Sequence, residues 1–216
     1  MLTQRNIEIL KIIVEEYLAT EVISKLLLKK YDLVSSATVR NDMAKLESLE
    51  LIYQPYHSAR LPTTKGLRAF VDFLMKSTPN YFLESEAEKS KLKVENFYDL
   101  ANKISFELAR KTEIAFFIIP ENNLIEYNVS FLDLNYKRLD SIFSIVKMLE
   151  EKENFIKFMK SQPFLTINVF IEENIIPFLK DYTIIVKNIK IGKDVFLGII
   201  SLKMNYSFNI SAVDII

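Results

Sequence analysis

Val34-Ser35-Ser36-Ala37-Thr38-Val39-Arg40-Asn41-Asp42-Met43-Ala44-Lys45-Leu46-Glu47, with its continuation to Lys65-Gly66-Leu67-Arg68, is the stretch that decides the fold. Its spacing predicts a helix: Ser35 is a good N-cap, and Val39, Met43, Leu46 and Leu49 recur at helical intervals along one apolar stripe. At about 100° per residue, Ala37, Arg40, Asn41, Ala44, Lys45 and Ser48 point away from that stripe, while the acids Asp42 and Glu47 fall near its edges. A helix that enters a major groove needs short residues where its backbone nears the bases, and donors or cations for base edges and phosphates. Ala37 and Ala44 meet the first need; Arg40, Asn41, Lys45 and Ser48 meet the second. Taken alone, the segment also fits an ordinary solvated amphipathic helix. Its flanks weigh against that.

Upstream, Ile7, Leu10, Val14 and Tyr17 make a helical stripe from about Thr3 to Ala19, and Val22 to Lys30 predicts a short second helix. Three helices with short connections are the helix-turn-helix plan. Downstream, Leu51-Ile52-Tyr53-Gln54 and Arg60-Leu61-Pro62-Thr63 are two extended runs around Pro55-Tyr56-His57-Ser58-Ala59, a small hairpin or wing. From Leu51 to Val71 there is no Asp or Glu, but there are Arg60, Lys65, Arg68 and the chain's one histidine, His57. Net charge over the chain is zero, yet this stretch is cationic. The local sign matters more than the total, because phosphates are contacted within a Debye length of about 10 Å or less.

Three runs together resemble the N-terminal region of the HrcA heat-shock repressors: Leu2-Thr3-Gln4-Arg5 with Ile9-Leu10, then Ser35 to Glu47, then Gln54-Pro55-Tyr56-His57-Ser58-Ala59-Arg60-Leu61-Pro62-Thr63-Thr64-Lys65-Gly66. The resemblance covers about a third of the chain. It implies a winged-helix repressor that binds double-stranded DNA as a homodimer, at an inverted-repeat operator called CIRCE upstream of chaperone genes, with the chaperonin GroEL as a partner that keeps it active. The family's operator-binding region maps onto the Ser35 to Ser48 helix and the wing from His57 to Lys65; with the outward face and the cationic stretch above, the expected DNA-binding residues are Ser35, Ser36, Ala37, Thr38, Arg40, Asn41, Lys45, Ser48, His57, Ser58, Arg60, Lys65 and Arg68. Two stretches depart from the family pattern. Glu21-Val22-Ile23-Ser24 stands where the family has a glycine-rich connection, and the wing run Ser58-Ala59-Arg60-Leu61-Pro62-Thr63 lacks the family's glycine, which shortens or stiffens that turn.

Composition bounds the remainder. The 216 residues, 50% hydrophobic, suffice for one large or two small domains with a sizeable core. With no cysteine there are no disulfides, thiolate metal sites or cysteine nucleophiles, which agrees with a reducing cytoplasm. No apolar run reaches the roughly 18 residues of a membrane span, and Met1-Leu2-Thr3-Gln4-Arg5 opens a charged amphipathic helix instead of a signal peptide. The expectation is a cytoplasmic protein.

Residues 1–76 are expected to form the winged-helix domain, 77–95 a linker or helical connector, and 96–216 an α+β domain. In the connector, Glu84, Glu86 and Glu88 precede Lys89, Lys91 and Lys93, an order that favours a helix. Beyond it, Phe97, Leu100, Ala101, Ile104 and Leu108 form an apolar stripe, followed by strands at Ile114 to Ile119 and Leu124 to Leu132. A helix runs from Leu139 to about Met159, and further strands lie at Thr166 to Ile171, Thr183 to Ile189 and Val195 to Lys203, with Asn174 to Leu179 as a loop or short helix. A sheet with helices on one side is the expected outcome. HrcA proteins carry a GAF-like domain here, and Leu197-Gly198-Ile199-Ile200-Ser201 is similar to its last strand. The family's inserted dimerisation segment is absent, because Val129-Ser130-Phe131-Leu132 passes almost directly to the helix at Tyr136.

No enzyme is expected. His57 has no second histidine to complete a metal cage or a Ser-His-Asp relay, and Gly66, Gly192 and Gly198 are too far apart for a phosphate loop. No cofactor or metal is expected. Two other functions stay open beside the repressor: a winged-helix regulator whose GAF-like domain senses a small ligand, and a winged helix that binds protein instead of DNA.

Overall fold

The computed structural model describes residues 2–16, 35–56, 59–77, 115–120, 126–129, 139–172, 176, 179, 182–191, 193–201 and 206–215, which fall in two compact units, Met1–Pro79 and Asn80–Ile216. The predicted helix at Val22 to Lys30, the wing residues His57 and Ser58, the connector from Glu84 to Glu95 and the stripe from Phe97 to Leu108 lie outside the described residues.

Helix α1 (Gln4–Glu16) opens on a reciprocal cap. The Thr3 N–H donates to Asn6 Oδ1 at 3.0 Å and the Asn6 N–H donates to Thr3 Oγ1 at 3.2 Å, a capping box in which asparagine replaces the usual Glu or Gln. Its inner face, Ile9, Leu10, Ile13 and Val14, is buried. Helix α2 (Ser36–Ser48) is the helix expected from Ser35: the serine hydroxyl accepts from the Thr38 N–H at 3.2 Å. Val39, Met43 and Leu46 are buried, as the stripe predicts. Leu49 departs from that expectation, being exposed, and Asp42 takes a buried place instead, because polar partners await it on α1.

α2 ends without glycine. The Leu51 N–H donates to Leu46 O at 3.0 Å and the Glu50 N–H donates to Glu47 O at 2.8 Å, the paired bonds of a Schellman turn, with Leu51 and Leu46 both buried. Glu50 holds the left-handed position at φ 58, which an L side chain adopts at a cost. Strands β1 (Ile52–Tyr56) and β2 (Ala59–Pro62) then pair antiparallel as the wing, Ile52 opposite Pro62 and Tyr53 opposite Leu61. Their register shifts before Tyr56 meets Ala59, where Pro55 has no N–H to give the ladder.

Helix α3 (Thr64–Ser77) starts from a single junction residue. Thr63 Oγ1 accepts from the Gly66 N–H at 3.0 Å and donates to Glu50 O at 2.6 Å, so one hydroxyl joins the helix start to the α2 turn. A Cβ on Gly66 would stand 1.9 Å from Leu51 O, so only glycine permits this approach. Leu67, Phe70 and Val71 are buried apolar residues of α3.

The second unit contains a five-stranded antiparallel sheet in the order β4-β3-β7-β6-β5, from β3 (Ala115–Pro120), β4 (Glu126–Val129), β5 (Ile167–Ile171), β6 (Thr183–Ile191) and β7 (Lys193–Ser201). The single helix expected from Leu139 to Met159 is two, α4 (Leu139–Glu150) and α5 (Lys152–Ser161). The break falls in Glu150-Glu151-Lys152-Glu153, an all-charged run with no apolar side chain to bury, so interrupting the helix there sacrifices no core. Ile145, Met148, Phe155, Ile156 and Met159 of these helices share one core with Ile184 and Val186 of β6 and with Phe196 and Ile200 of β7.

Helices lie on both faces of the sheet, not one. Neighbouring residues of β6 point to opposite faces and close opposite helices. Asn188 Nδ2 donates to Met159 O at 2.7 Å and Gln162 O at 2.8 Å, ending α5. Lys187 Nζ donates to Val213 O at 3.2 Å and Asp214 O at 2.9 Å, ending α6 (Tyr206–Ile215). Four residues earlier on β6, Thr183 Oγ1 shares a hydrogen bond of 2.8 Å with the Tyr206 hydroxyl, so α6 is held at both ends.

Candidate nucleic-acid interface

α2 presents an uninterrupted outward face. Ser36, Ala37, Arg40, Asn41, Ala44, Lys45 and Ser48 are all exposed. The first turn carries no acid, so its unpaired N–H groups and the helix dipole favour a negative group there. Among the described residues, the Arg40 and Asn41 side chains make no hydrogen bond or ion pair. Several hydroxyls are already engaged: Ser35 Oγ and Thr38 Oγ1 lie 3.0 Å apart at the cap, and Ser48 Oγ donates to Lys45 O at 2.8 Å.

The acids of α2, which would repel phosphate, are both paired. Asp42, 8% exposed, accepts from Asn6 Nδ2 at 2.9 Å on one oxygen and from Arg5 Nε on the other. Asn6 is fully buried, and its amide oxygen is the one that caps Thr3, so the start of α1 is linked through a single side chain to the middle of α2. The hydrogen bond to Asp42 raises the pKa of the Arg5 guanidinium above its ordinary value, against the opposing effect of burial. Glu47 pairs with Arg60 Nε across the gap between α2 and the wing.

The structure therefore distributes the expected site residues unevenly. Arg40, Asn41, Lys45 and Ser48 share the α2 face with Ser36 and Ala37, while Arg60 is engaged by Glu47. Lys65, at the start of α3, meets Glu50 Oε2 at 3.0 Å in an exposed pair, and Arg68 is half-buried. His57 and Ser58 lie outside the described residues. Arg5, Asn6, Asp42 and Glu47, which organise the face, are not among the DNA-binding residues that the sequence predicts. Their one signal in the sequence is the placement of two acids at the edges of the apolar stripe on an otherwise basic helix.

Helices α1, α2 and α3 with a two-stranded wing, in one chain with an α+β unit, define the class: a winged-helix protein. Residues 1–61 match the family described as a probable winged helix domain. The chain belongs to the HrcA family. It is 34% identical over 155 residues to the heat-inducible transcription repressor HrcA of Staphylococcus haemolyticus, covering 68% of this chain and 46% of that one. It is 39% identical over 123 residues to the HrcA of Alkaliphilus metalliredigens, covering 53% and 36%. With the HrcA of Chloroflexus aurantiacus the identity rises to 51% over 81 residues, 36% of this chain and 22% of that one. The chain thus spans less than half the length of these curated relatives. A solved structure described as "Crystal structure of a hypothetical protein at 2.2 A resolution" matches with a TM-score of 0.59 at 18% identity, over 100% of this chain and 97% of that one, a likeness of fold alone. No helix among the described residues is long and apolar enough to cross a membrane.

Proposed function

We propose that this chain is a sequence-specific DNA-binding repressor of chaperone genes, acting at an inverted-repeat operator of the CIRCE type. The observation that carries the reading is the α2 face, where Arg40 and Asn41 are exposed beside Ala37, Ala44 and Lys45, with the helix's acids turned to other partners. In this reading α2 enters the major groove, Arg40 and Asn41 meet base edges or the phosphates beside them, and Lys45, with Lys65 and Arg68 of α3, meets backbone. The name shared by the relatives, heat-inducible transcription repressor, supports chaperone control as the outcome. An inverted repeat calls for two copies of α2 on half-sites about 34 Å apart, so the working form is a homodimer. GroEL is the proposed partner that sustains repression.

Footprinting on chaperone promoters from the chain's own genome tests the reading. Protection of an inverted repeat, weakening steeply with salt, is the expected result. A salt-insensitive protein without any footprint would overturn it.

A further inference from the structure

Arg60 is the obvious cation of the wing, and its surroundings give it another task. Its side chain is only 16% exposed, and its Nε contacts Glu47 of α2, itself 34% exposed. The two paired atoms, Arg60 Nε and Glu47 Oε1, are inaccessible to solvent, and each has only the other as polar partner among the described residues. Of the other guanidinium nitrogens, Nη1 donates to the neighbouring Ala59 O at 3.4 Å. A guanidinium held in this way cannot move to a phosphate without leaving a carboxylate oxygen buried and unpaired, a cost comparable to what an exposed phosphate contact returns. The base of the hairpin is fixed to α2 through the backbone turn at Leu51 and the Thr63 hydroxyl, while its register is irregular toward Tyr56, so the Arg60–Glu47 pair adds a side-chain tie between β2 and the helix.

We propose that Arg60 is a positioning residue: with Glu47 it locks the wing to the recognition helix and sets how the two enter adjacent grooves, without itself neutralising a phosphate. The inference rests on the DNA-binding reading above. It predicts that the pair governs discrimination between sequences, because a misplaced wing tilts α2 relative to the base edges while leaving its backbone contacts in number as they were.

The test measures affinity for the footprinted operator duplex and for a scrambled duplex of equal length across a salt series, using the full chain. For Arg60→Gln we expect about a tenfold loss on the operator, a smaller loss on the scrambled duplex, and an unchanged log-log salt slope. Glu47→Gln should reproduce that loss, and the double variant should be no worse than either single one, as members of one pair behave. A phosphate-contacting Arg60 gives the opposite pattern: the slope falls by about 0.9, all duplexes lose alike, and Glu47→Gln tightens binding by freeing the cation. Any of those three results overturns the proposal. Where the single variants lose their fold, Arg60→Met with Glu47→Met keeps the volume and removes both charges, and its slope decides the question alone: unchanged supports the lock, reduced refutes it. If the unaltered chain binds no duplex at any salt, the DNA-binding reading fails, and the proposal with it.

Discussion

Arg40 and Glu50 stand at the two extremes of what one side chain can tell. Arg40 is exposed on α2 with nothing among the described residues to hold it, and the proposed function gives it a base edge or phosphate to meet. If it reads a guanine edge, Arg40→Ala will cost about 1–3 kcal/mol of operator binding and relax the sequence preference at one position, as a base-by-base competition assay would report. Glu50 is the reverse case, a residue whose backbone is the issue. At φ 58 it carries a strain of roughly 1–2 kcal/mol that glycine would not. Glu50→Gly also loosens the unfolded chain by about 0.5–1 kcal/mol and removes an exposed pair with Lys65 worth little. Relief of the strain outweighs the gain in unfolded-state entropy, so a net stabilisation of up to about 1 kcal/mol is expected, visible as a higher unfolding midpoint. Nothing in Leu49-Glu50-Leu51 announces a left-handed turn. It follows from the need of α2 to end where Leu51 can pack beside Leu46.

At the scale of the element, periodicity predicted more than it could orient. The stripe through Val39, Met43 and Leu46 placed α2 correctly, and the pattern of Thr183 to Ile189 found β6. What periodicity missed were the polar ties between elements. Asp42 is the clearest: removing its carboxylate leaves Asn6 Nδ2 buried without its acceptor and breaks the link from the α1 cap to α2. Asp42→Ala is therefore expected to destabilise the winged helix by roughly 1–3 kcal/mol, whereas Asp42→Asn, which still offers Asn6 an oxygen, should cost less; chemical denaturation of the two variants distinguishes them. In the second unit, Lys187 closes α6 by donating to its last carbonyls, where a cation also suits the helix dipole. Lys187→Ala should lower hydrogen-exchange protection in α6 by about 2 kcal/mol while leaving α5, closed by Asn188, as protected as before. Equal loss in both helices would contradict the division of the two caps.

For the whole molecule, two units with separate cores lie along one chain, a winged helix and an α+β sheet. The proposed function makes one demand on both together, that two copies assemble on one operator. Sedimentation of the chain with and without the footprinted duplex should give a two-to-one complex, and inserting half a helical turn, about 5 base pairs, between the half-sites should abolish it. A one-to-one complex indifferent to spacing would remove the inverted repeat from the proposal and leave the recognition helix in place.

The amino-acid sequence by itself determined the local facts: where α2 begins, because Ser35 can cap it; which of its faces is apolar and which basic, because those follow from residue order at 3.6 per turn; and the membership of the chain in the HrcA family, because motifs are carried residue by residue. The tertiary structure alone decided which charges are available. Asp42 meets partners 36 and 37 residues away, Glu47 meets a wing arginine, and β6 closes one helix on each side of the sheet. Such pairings depend on distance in space between segments far apart in the chain, and no periodicity within either segment encodes that distance.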